Sequence, residues 1–410
     1  MKFDAIVLGA GIVGVCVADH LQQNGLSVAL VDRKAPGMET SFGNAGLIQR
    51  EGVYPYAFPR AFADVLRYAG NQALDVRYHA DAMRELAPFL WRYWRNSHPA
   101  RHAEIARSYA TLIEHCVSEH RELAAQAGVS DLIRASGWMK VFRTNAKFDR
   151  ERSVAERWRR EYDVDFEALD SARLKQLEPD LDDSLAGGLR FTAAESVSDP
   201  GALVAGYARH FSKIGGRLFL GDAATLREGW SVETQEGRIE SQRVVLALGP
   251  WSGPIAARLG YPMPLGIKRG YHMHYEAQSP ARLNHPVLDV ENGYLLAPMA
   301  RGIRLTTGAE LARCDAPKTP AQLDAVEPIA RGLFPLGSRL DAEPWMGRRP
   351  CTPDMLPIIG PARRREGMWF AFGHAHHGLT LGPVTGRLLA QMMLGKETIV
   401  DPNPFRAERF

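Results

Sequence analysis

Residues 3–8, FDAIVL, form a short, mostly apolar run that ends at Gly9, the pattern of a strand covered on both faces. From Ile12 to Asn24 the apolar residues Val13, Val17 and Leu21 recur at helical spacing, and Gly25 supplies the stop. SVALVD (27–32) is a second buried strand. Strand, glycine turn, helix and strand in this order make one βαβ unit. Residues 51–130 change character. Tyr, Trp and Arg crowd "FLWRYWRNSHPARHAEIARSYATLIEHCVSEHRELAAQAG", whose pattern is helical with polar faces. GWMKVFR (137–143) reads as a strand, and "NAKFDRERSVAERWRREYDV" and "SARLKQLEPDL" read as helices.

Residues 200–220 predict a helix, a Gly-Gly break and a strand; residues 243–260 predict a strand, a glycine turn and a helix. Both look like pieces of a doubly wound layer. Between 262 and 345 alternating segments such as GYHMHYE, GYLLAPM and GIRLTTG predict an antiparallel sheet with one wet face. From Arg349 onward come glycine-rich turns, a strand MWFAFG and a helix GPVTGRLLAQMML. The expected fold class is α/β with α+β character. A Rossmann-like dinucleotide domain is assembled from 1–50, 191–261 and 346–410, and an inserted antiparallel-sheet substrate domain from 51–190 and 262–345.

Composition narrows the class without choosing an activity. A chain of 410 residues with 45% hydrophobic and 24% charged residues can build two or three lobes around a sizeable core. A net charge of +3 gives no footprint for nucleic acid, while a weak attraction to anionic lipid or an acidic substrate stays open. Cys16, Cys116, Cys314 and Cys351 are scattered with no C-x-x-C pair, which suits a reducing compartment. The N-terminal apolar run is broken by glycines and reads as a strand rather than a signal peptide. No stretch reaches about 18 uninterrupted apolar residues. The expectation is a cytoplasmic protein, at most associated with the inner face of a membrane. The aromatic-basic stretch Phe89 to Trp94 is expected to pack on the substrate lobe, a membrane-surface anchor being its rival reading.

Gly9-Ala10-Gly11-Ile12-Val13-Gly14 is G-x-G-x-x-G between a strand and a helix. Its glycines allow the tight turn, the approach of a pyrophosphate and close helix packing, and the helix N-terminus offers free N–H donors. Asp32, at the end of the second strand, can accept ribose hydroxyls. A nicotinamide or a flavin dinucleotide satisfies this much equally. ETSFGNAGLI (39–48) then adds small residues that would let the chain run against a large flat ligand. FAFGHAHHGLTLGPVTGRLLAQMM (370–393) supplies a second glycine turn and helix N-terminus, suited to a ring edge that gains negative charge, as in a reduced isoalloxazine. NAD(P) remains the minor alternative.

GAGIVG (9–14), ETSFGNAG (39–46), KRGYH (268–272), WMGRRPCTPDMLPIIG (345–360) and FGHAHHGLT (372–380) together carry a resemblance that runs nearly end to end. The chain resembles the FAD-dependent D-amino-acid dehydrogenase and glycine/sarcosine oxidase family. Within it the pattern, including the terminal PNPFRAERF, is similar to that of bacterial D-amino-acid dehydrogenases and glyphosate oxidoreductase. The resemblance implies a D-amino-acid oxidase/glutathione-reductase-like fold and non-covalent FAD. It implies cofactor contacts from Gly9, Ala10, Gly11, Ile12, Val13, Gly14, Asp32 and Arg33, and from Ser41, Asn44, Ala45, Gly46 and Leu47. Ala224, Ala247, Gly249, Gly373, Gly378, Leu379 and Thr380 complete the set. Arg349 in G-R-R-P is implied to clamp a substrate carboxylate, because a guanidinium offers a planar two-pronged fork.

A tyrosine hydroxyl is expected to share that grip, Tyr271 first and Tyr294 second, each with a core aromatic as its alternative. His376 and His377 are candidate catalytic groups and His374 a substrate contact; a metal site among them is not expected. His272 and His274 share one face of a strand, and Trp251 and Trp345 either wall the pocket or simply pack. The implied reaction oxidises the C–N bond of a D-amino acid, or an imino acid such as D-proline or hydroxyproline, by hydride transfer to flavin. The resulting imine hydrolyses to a 2-oxo acid. The alternatives are an amine oxidase acting on N-substituted glycines with oxygen, and a flavoprotein subunit without turnover. A quinone or respiratory chain, or oxygen, is the expected electron acceptor. Oligomeric state is not legible.

Overall fold

The computed structural model describes residues 1–410. In it Ala5–Leu8 are fully buried because both faces of the strand Lys2–Leu8 are covered. Alternation divides the residues between two cores. Ala5, Val7, Val28 and Leu30 face the helix side, while Ile6, Leu8, Ala29 and Val31 face the opposite side with Phe219, Val244 and Phe370.

The first sheet runs in the order Arg217–Leu220, Val28–Asp32, Lys2–Leu8, Gly237–Leu246, Met368–Phe372, Ile358–Pro361. Its first five strands are parallel; Ile358–Pro361 is antiparallel to its neighbour, and Ser231–Thr234 pairs antiparallel with Gly237–Leu246. The helices Ile12–Gln23, Pro200–Lys213 and Gly378–Met393 lie along the helix side. This sheet therefore draws on three separated stretches of chain.

The second sheet has eleven strands. Its centre is Gly266–Ala277, which pairs with Ala309–Leu311, Gly302–Thr306, Leu336–Arg339 and Trp345–Cys351. Two expectations are corrected here. The strand Gly266–Ala277 has no wet face, since residues 266–275 are all buried. One face packs Tyr271, Met273 and Tyr275 on the helix Ala321–Leu333, and the other looks into a cavity lined by Lys268 and Gly270. The stretch from 346 does not join the dinucleotide layer at once. Trp345–Cys351 is paired residue for residue with Gly266–Ala277, so the second sheet, not the first, carries Arg349.

The two layers are tied together at this seam. Arg304, on Gly302–Thr306, donates through Nη1 to the carbonyls of Asn44 (2.5 Å) and Phe42 (3.2 Å). The Ala375 N–H donates to the Pro350 carbonyl at 2.9 Å. No helix is long and apolar enough to cross a membrane.

Candidate active site

The βα turn after the first strand needs glycine for steric reasons. Gly9 has φ +105°, and a Cβ there would lie 2.5 Å from the Ala247 carbonyl oxygen. A Cβ on Gly14 would fall 1.8 Å from the Gly9 carbonyl oxygen, so the helix can start only this close to the strand without a side chain. Asp32 braces the turn: its Oδ2 accepts the Ala10 N–H at 2.7 Å and its Oδ1 the Lys34 N–H at 3.0 Å. Ser41 Oγ accepts the Ile12 N–H at 3.0 Å, and Asn44 Oδ1 accepts the Gly46 N–H at 2.8 Å. Arg33 stacks its guanidinium 4.5 Å from the Trp251 ring centroid and pairs with Glu39 at 3.2 Å.

Gly9, Gly11, Ile12, Val13, Asp32, Arg33, Ser41, Asn44, Ala45 and Leu47 line one long cavity of about 1160 Å³. Ala224, Ala247, Gly249, Gly373, Gly378 and Leu379 line it too. A drug-sized ligand site takes about 300–1,000 Å³, so this space suits a dinucleotide with a small substrate beside it. Ala10, Gly14, Gly46 and Thr380 do not line it; they shape the backbone behind. The Thr380 hydroxyl, expected to touch cofactor, instead donates to the Leu47 carbonyl at 3.1 Å. FAD fits on three grounds: the glycine-only turn, Asp32 beside it, and the start of Gly378–Met393, where no side chain caps the first-turn N–H groups.

At the reaction end, register decides what meets. Trp345–Cys351 places Arg349 opposite Lys268 and Gly347 opposite Gly270. The Arg349 guanidinium lies over Gly270, where a Cβ would come within 2.5 Å of Nη1 and Nη2. Nη1 donates to the carbonyls of Gly308 (3.0 Å) and Arg269 (3.3 Å), and no carboxylate pairs with the group. Burial pulls the Arg349 pKa down from its ordinary value. Arg348, pointing to the opposite face, donates to the Cys314 carbonyl at 2.7 Å.

The glycine-rich loop contributes three imidazoles with three different surroundings. His374 borders the cavity, but its Nε2 bonds Thr385 Oγ1 of the last helix at 2.9 Å; burial lowers its pKa to about 3. His377 Nδ1 bonds the Tyr109 hydroxyl at 2.6 Å, and burial lowers it to about 4. His376 packs its ring 4.4 Å from that of Tyr56, and its buried Nδ1 has no partner. Burial, then Arg349 and Lys268, hold the His376 pKa well below its ordinary value, so this imidazole is neutral. Ala375 between them has φ +49°, a left-handed conformation at a non-glycine residue, held by the bond to Pro350.

Both tyrosine expectations are corrected. The Tyr271 hydroxyl donates to Glu310 Oε2 at 2.9 Å and accepts from the Thr319 N–H (2.8 Å) and Arg269 Nη2 (3.2 Å). It has no capacity left for a ligand. Tyr271 borders the cavity, but its ring packs in the core behind the strand, on the face opposite Gly270. Tyr294 is fully buried in the core of the second sheet and does not reach the cavity. The tyrosines that border the cavity beside these cations are Tyr56, from a loop, and Tyr93, from the helix Met83–Asn96, whose hydroxyl meets Lys268. Tyr93 and Lys268 lie in stretches singled out above, Phe89 to Trp94 and KRGYH, yet nothing in those stretches distinguished them from their neighbours.

His272, His274 and Asp341 cluster within 4.8 Å, yet both nitrogens of His274 are engaged, by Asp341 (2.7 Å) and by Arg304 Nε (3.0 Å). The His272 ring stacks on Trp345 at 4.8 Å.

Comparison with known proteins places this geometry in a known group. The family model described as DAO, FAD dependent oxidoreductase, matches residues 4–392. The D-amino-acid oxidase of Bradyrhizobium diazoefficiens is 31% identical over 420 residues, covering 98% of each chain. A D-amino acid dehydrogenase of Cereibacter sphaeroides is 32% identical over 420 residues, covering 99% of this chain and 95% of its own. Glycine oxidase from Geobacillus kaustophilus shares the fold, with a TM-score of 0.75, 23% identity and coverage of 100% and 99%.

Proposed function

Since the chain belongs to the DAO family of FAD-dependent oxidoreductases, we propose that this amino-acid oxidoreductase oxidises the C–N bond of a D-amino or D-imino acid whose carboxylate is held by Arg349. The observation that carries the reading is the Arg349 guanidinium, half-buried on the cavity wall with no carboxylate of its own. A partly desolvated cation without an acid is left with unmet charge, and an incoming carboxylate on its fork supplies the missing partner.

FAD, when bound, supplies the hydride acceptor. The pyrophosphate belongs at Gly9–Gly14 and the start of the helix Ile12–Gln23, with the remaining lone pairs of Asp32 for ribose hydroxyls. The start of Gly378–Met393 faces the far end of the cavity and favours negative charge there. Arg349 fixes the carboxylate and so orients the neighbouring Cα–H. Holding the reacting atoms in line removes most of the entropic part of the barrier. The positive charges of Arg349 and Lys268 disfavour an ammonium group beside them, so the amine reacts in its neutral form. Neutral His376 accepts a hydrogen bond from it. Water then hydrolyses the released imine to a 2-oxo acid and ammonia, or, for a cyclic imino acid, to the ring-opened 2-oxo acid that keeps its amine.

An anaerobic panel of D-amino acids, cyclic D-imino acids and N-alkyl glycines, read as bleaching of the yellow holoprotein, tests the reading. D-Amino and D-imino acids are expected to bleach it fastest. Bleaching by N-alkyl glycines alone would replace the substrate class, and a chromophore untouched by all three would leave a subunit without turnover. A peroxide-coupled assay in air then separates oxygen from a quinone-linked acceptor.

A further inference from the structure

Arg349 is not the only unpaired cation in the wall. Lys268, its cross-strand partner, is 8% exposed and lines the same cavity. Its Nζ lies 3.0 Å from the Tyr93 hydroxyl and 4.2 Å from the Tyr93 ring centroid. The Tyr93 hydroxyl donates to the Tyr56 carbonyl at 2.8 Å, so it can only accept from the ammonium. One of three N–H donors is thereby used and the other two are free. No carboxylate pairs with Lys268.

The buried arginines of the second sheet are held by fixed partners within the protein. Arg269 bonds Glu310 at 2.6 Å and the carbonyls of Ala316 and Pro317, and Arg304 bonds two carbonyls and His274. Directly paired residues of antiparallel strands point to the same face, so Lys268 and Arg349 project together. Two like charges side by side in the cavity wall, with spare donors and neither paired with an acid, describe a site completed by two anionic groups; Glu51, the buried acid of the same cavity, bonds Gln49 instead.

We propose that Lys268 binds a second acidic group of the substrate, making the preferred substrate a diacid. This rests on the assignment of Arg349 to the first carboxylate. The second group sits either on the side chain, as in aspartate or glutamate, or on the amine substituent, as in iminodiacetate.

The test uses FAD-loaded protein and two readouts. Perturbation of the flavin spectrum by non-oxidisable acids compares malonate, succinate and glutarate with acetate, propionate and butyrate. Anaerobic bleaching compares D-aspartate, D-glutamate and iminodiacetate with D-alanine and sarcosine, which also tells the two diacid sources apart. Wild-type protein is expected to bind the best diacid at least tenfold tighter than its matched monoacid. Lys268→Met should cut that ratio at least tenfold, and Lys268→Arg should keep most of it. Equal binding of mono- and diacids by wild type, or a ratio unchanged in Lys268→Met, overturns the proposal. If the diacid preference is found while no amino acid or amine bleaches the flavin, the second-anion site stands and the oxidation reading falls.

Discussion

Arg349 and Gly270 work as a unit, one supplying the fork and the other the space in which it lies. Arg349→Lys keeps the charge but loses the planar pair of donors. Hydrogen bonds to charged groups contribute about 1.5–3 kcal/mol, so kcat/KM for the substrate should fall by about one to two orders of magnitude with FAD still bound. Unchanged kinetics would remove Arg349 from the site. Gly270→Ala meets no backbone strain, yet its Cβ would stand 2.5 Å from the guanidinium. Misplacing a clamp by about 1 Å costs on the order of 10² in rate, and the expected signature is a lower kcat/KM at full FAD content. That Arg349 belongs on the cavity wall was legible through the family resemblance, because it stands in a short motif, G-R-R-P. The hydroxyl expected beside it was not. Whether Tyr271 faces ligand or Glu310 depends on what packs behind its strand, and a sequence carries no mark of that.

Two helices that begin at the cavity, Ile12–Gln23 and Gly378–Met393, cross in close contact, and glycines make the crossing possible. A Cβ on Gly386 would lie 2.5 Å from the Cys16 carbonyl oxygen, and one on Gly382 2.6 Å from Ile12 Cγ1. Gly386→Ala must therefore push the helices apart. Overpacking of this kind costs about 1–3 kcal/mol, read as a lower denaturant midpoint, and it should loosen FAD because both helices begin at the cavity proposed to hold it. An unshifted midpoint would mean that the pair adjusts freely. The first of these helices was readable from its apolar spacing and the opening strand from its short apolar run. The membership of Trp345–Cys351 was not. Its pattern suits either sheet, and its partner is chosen by residues far away in the chain, so the expected boundary at 346 fell inside a strand of the other layer.

Across the whole molecule, buried neutral histidines couple stability to pH. Burial lowers His20, His120 and His377 to about 4, His374 to about 3 and His272 to about 2, from 6.5 in the exposed state. Below pH 6.5 the unfolded chain takes up these protons and the folded chain does not, so stability falls as pH drops. Each such histidine contributes up to about 1.4 kcal/mol of loss per pH unit within its window. The denaturant midpoint should hold level above pH 7 and decline steeply from pH 6 to 4. A flat midpoint across that range would show that these rings are hydrated in the folded protein. None of this was readable beforehand, since a histidine looks the same in a sequence whether it ends in a core or in water.

The first sheet also dictates how the protein must be made. Lys2 pairs with Glu240, and Leu246 of that same strand pairs with Phe370. At about 5–20 residues per second, a ribosome needs on the order of ten seconds or more after the opening strand emerges before its second neighbour exists. Until then the apolar edge at Ala5–Leu8 is unpaired on the nascent chain, and its protection falls to the chaperones that meet it during synthesis. A prematurely terminated product lacking Met368–Phe372 and the helix after it would leave the ribosome without a place for the cofactor, and would be a substrate for degradation rather than a weaker enzyme.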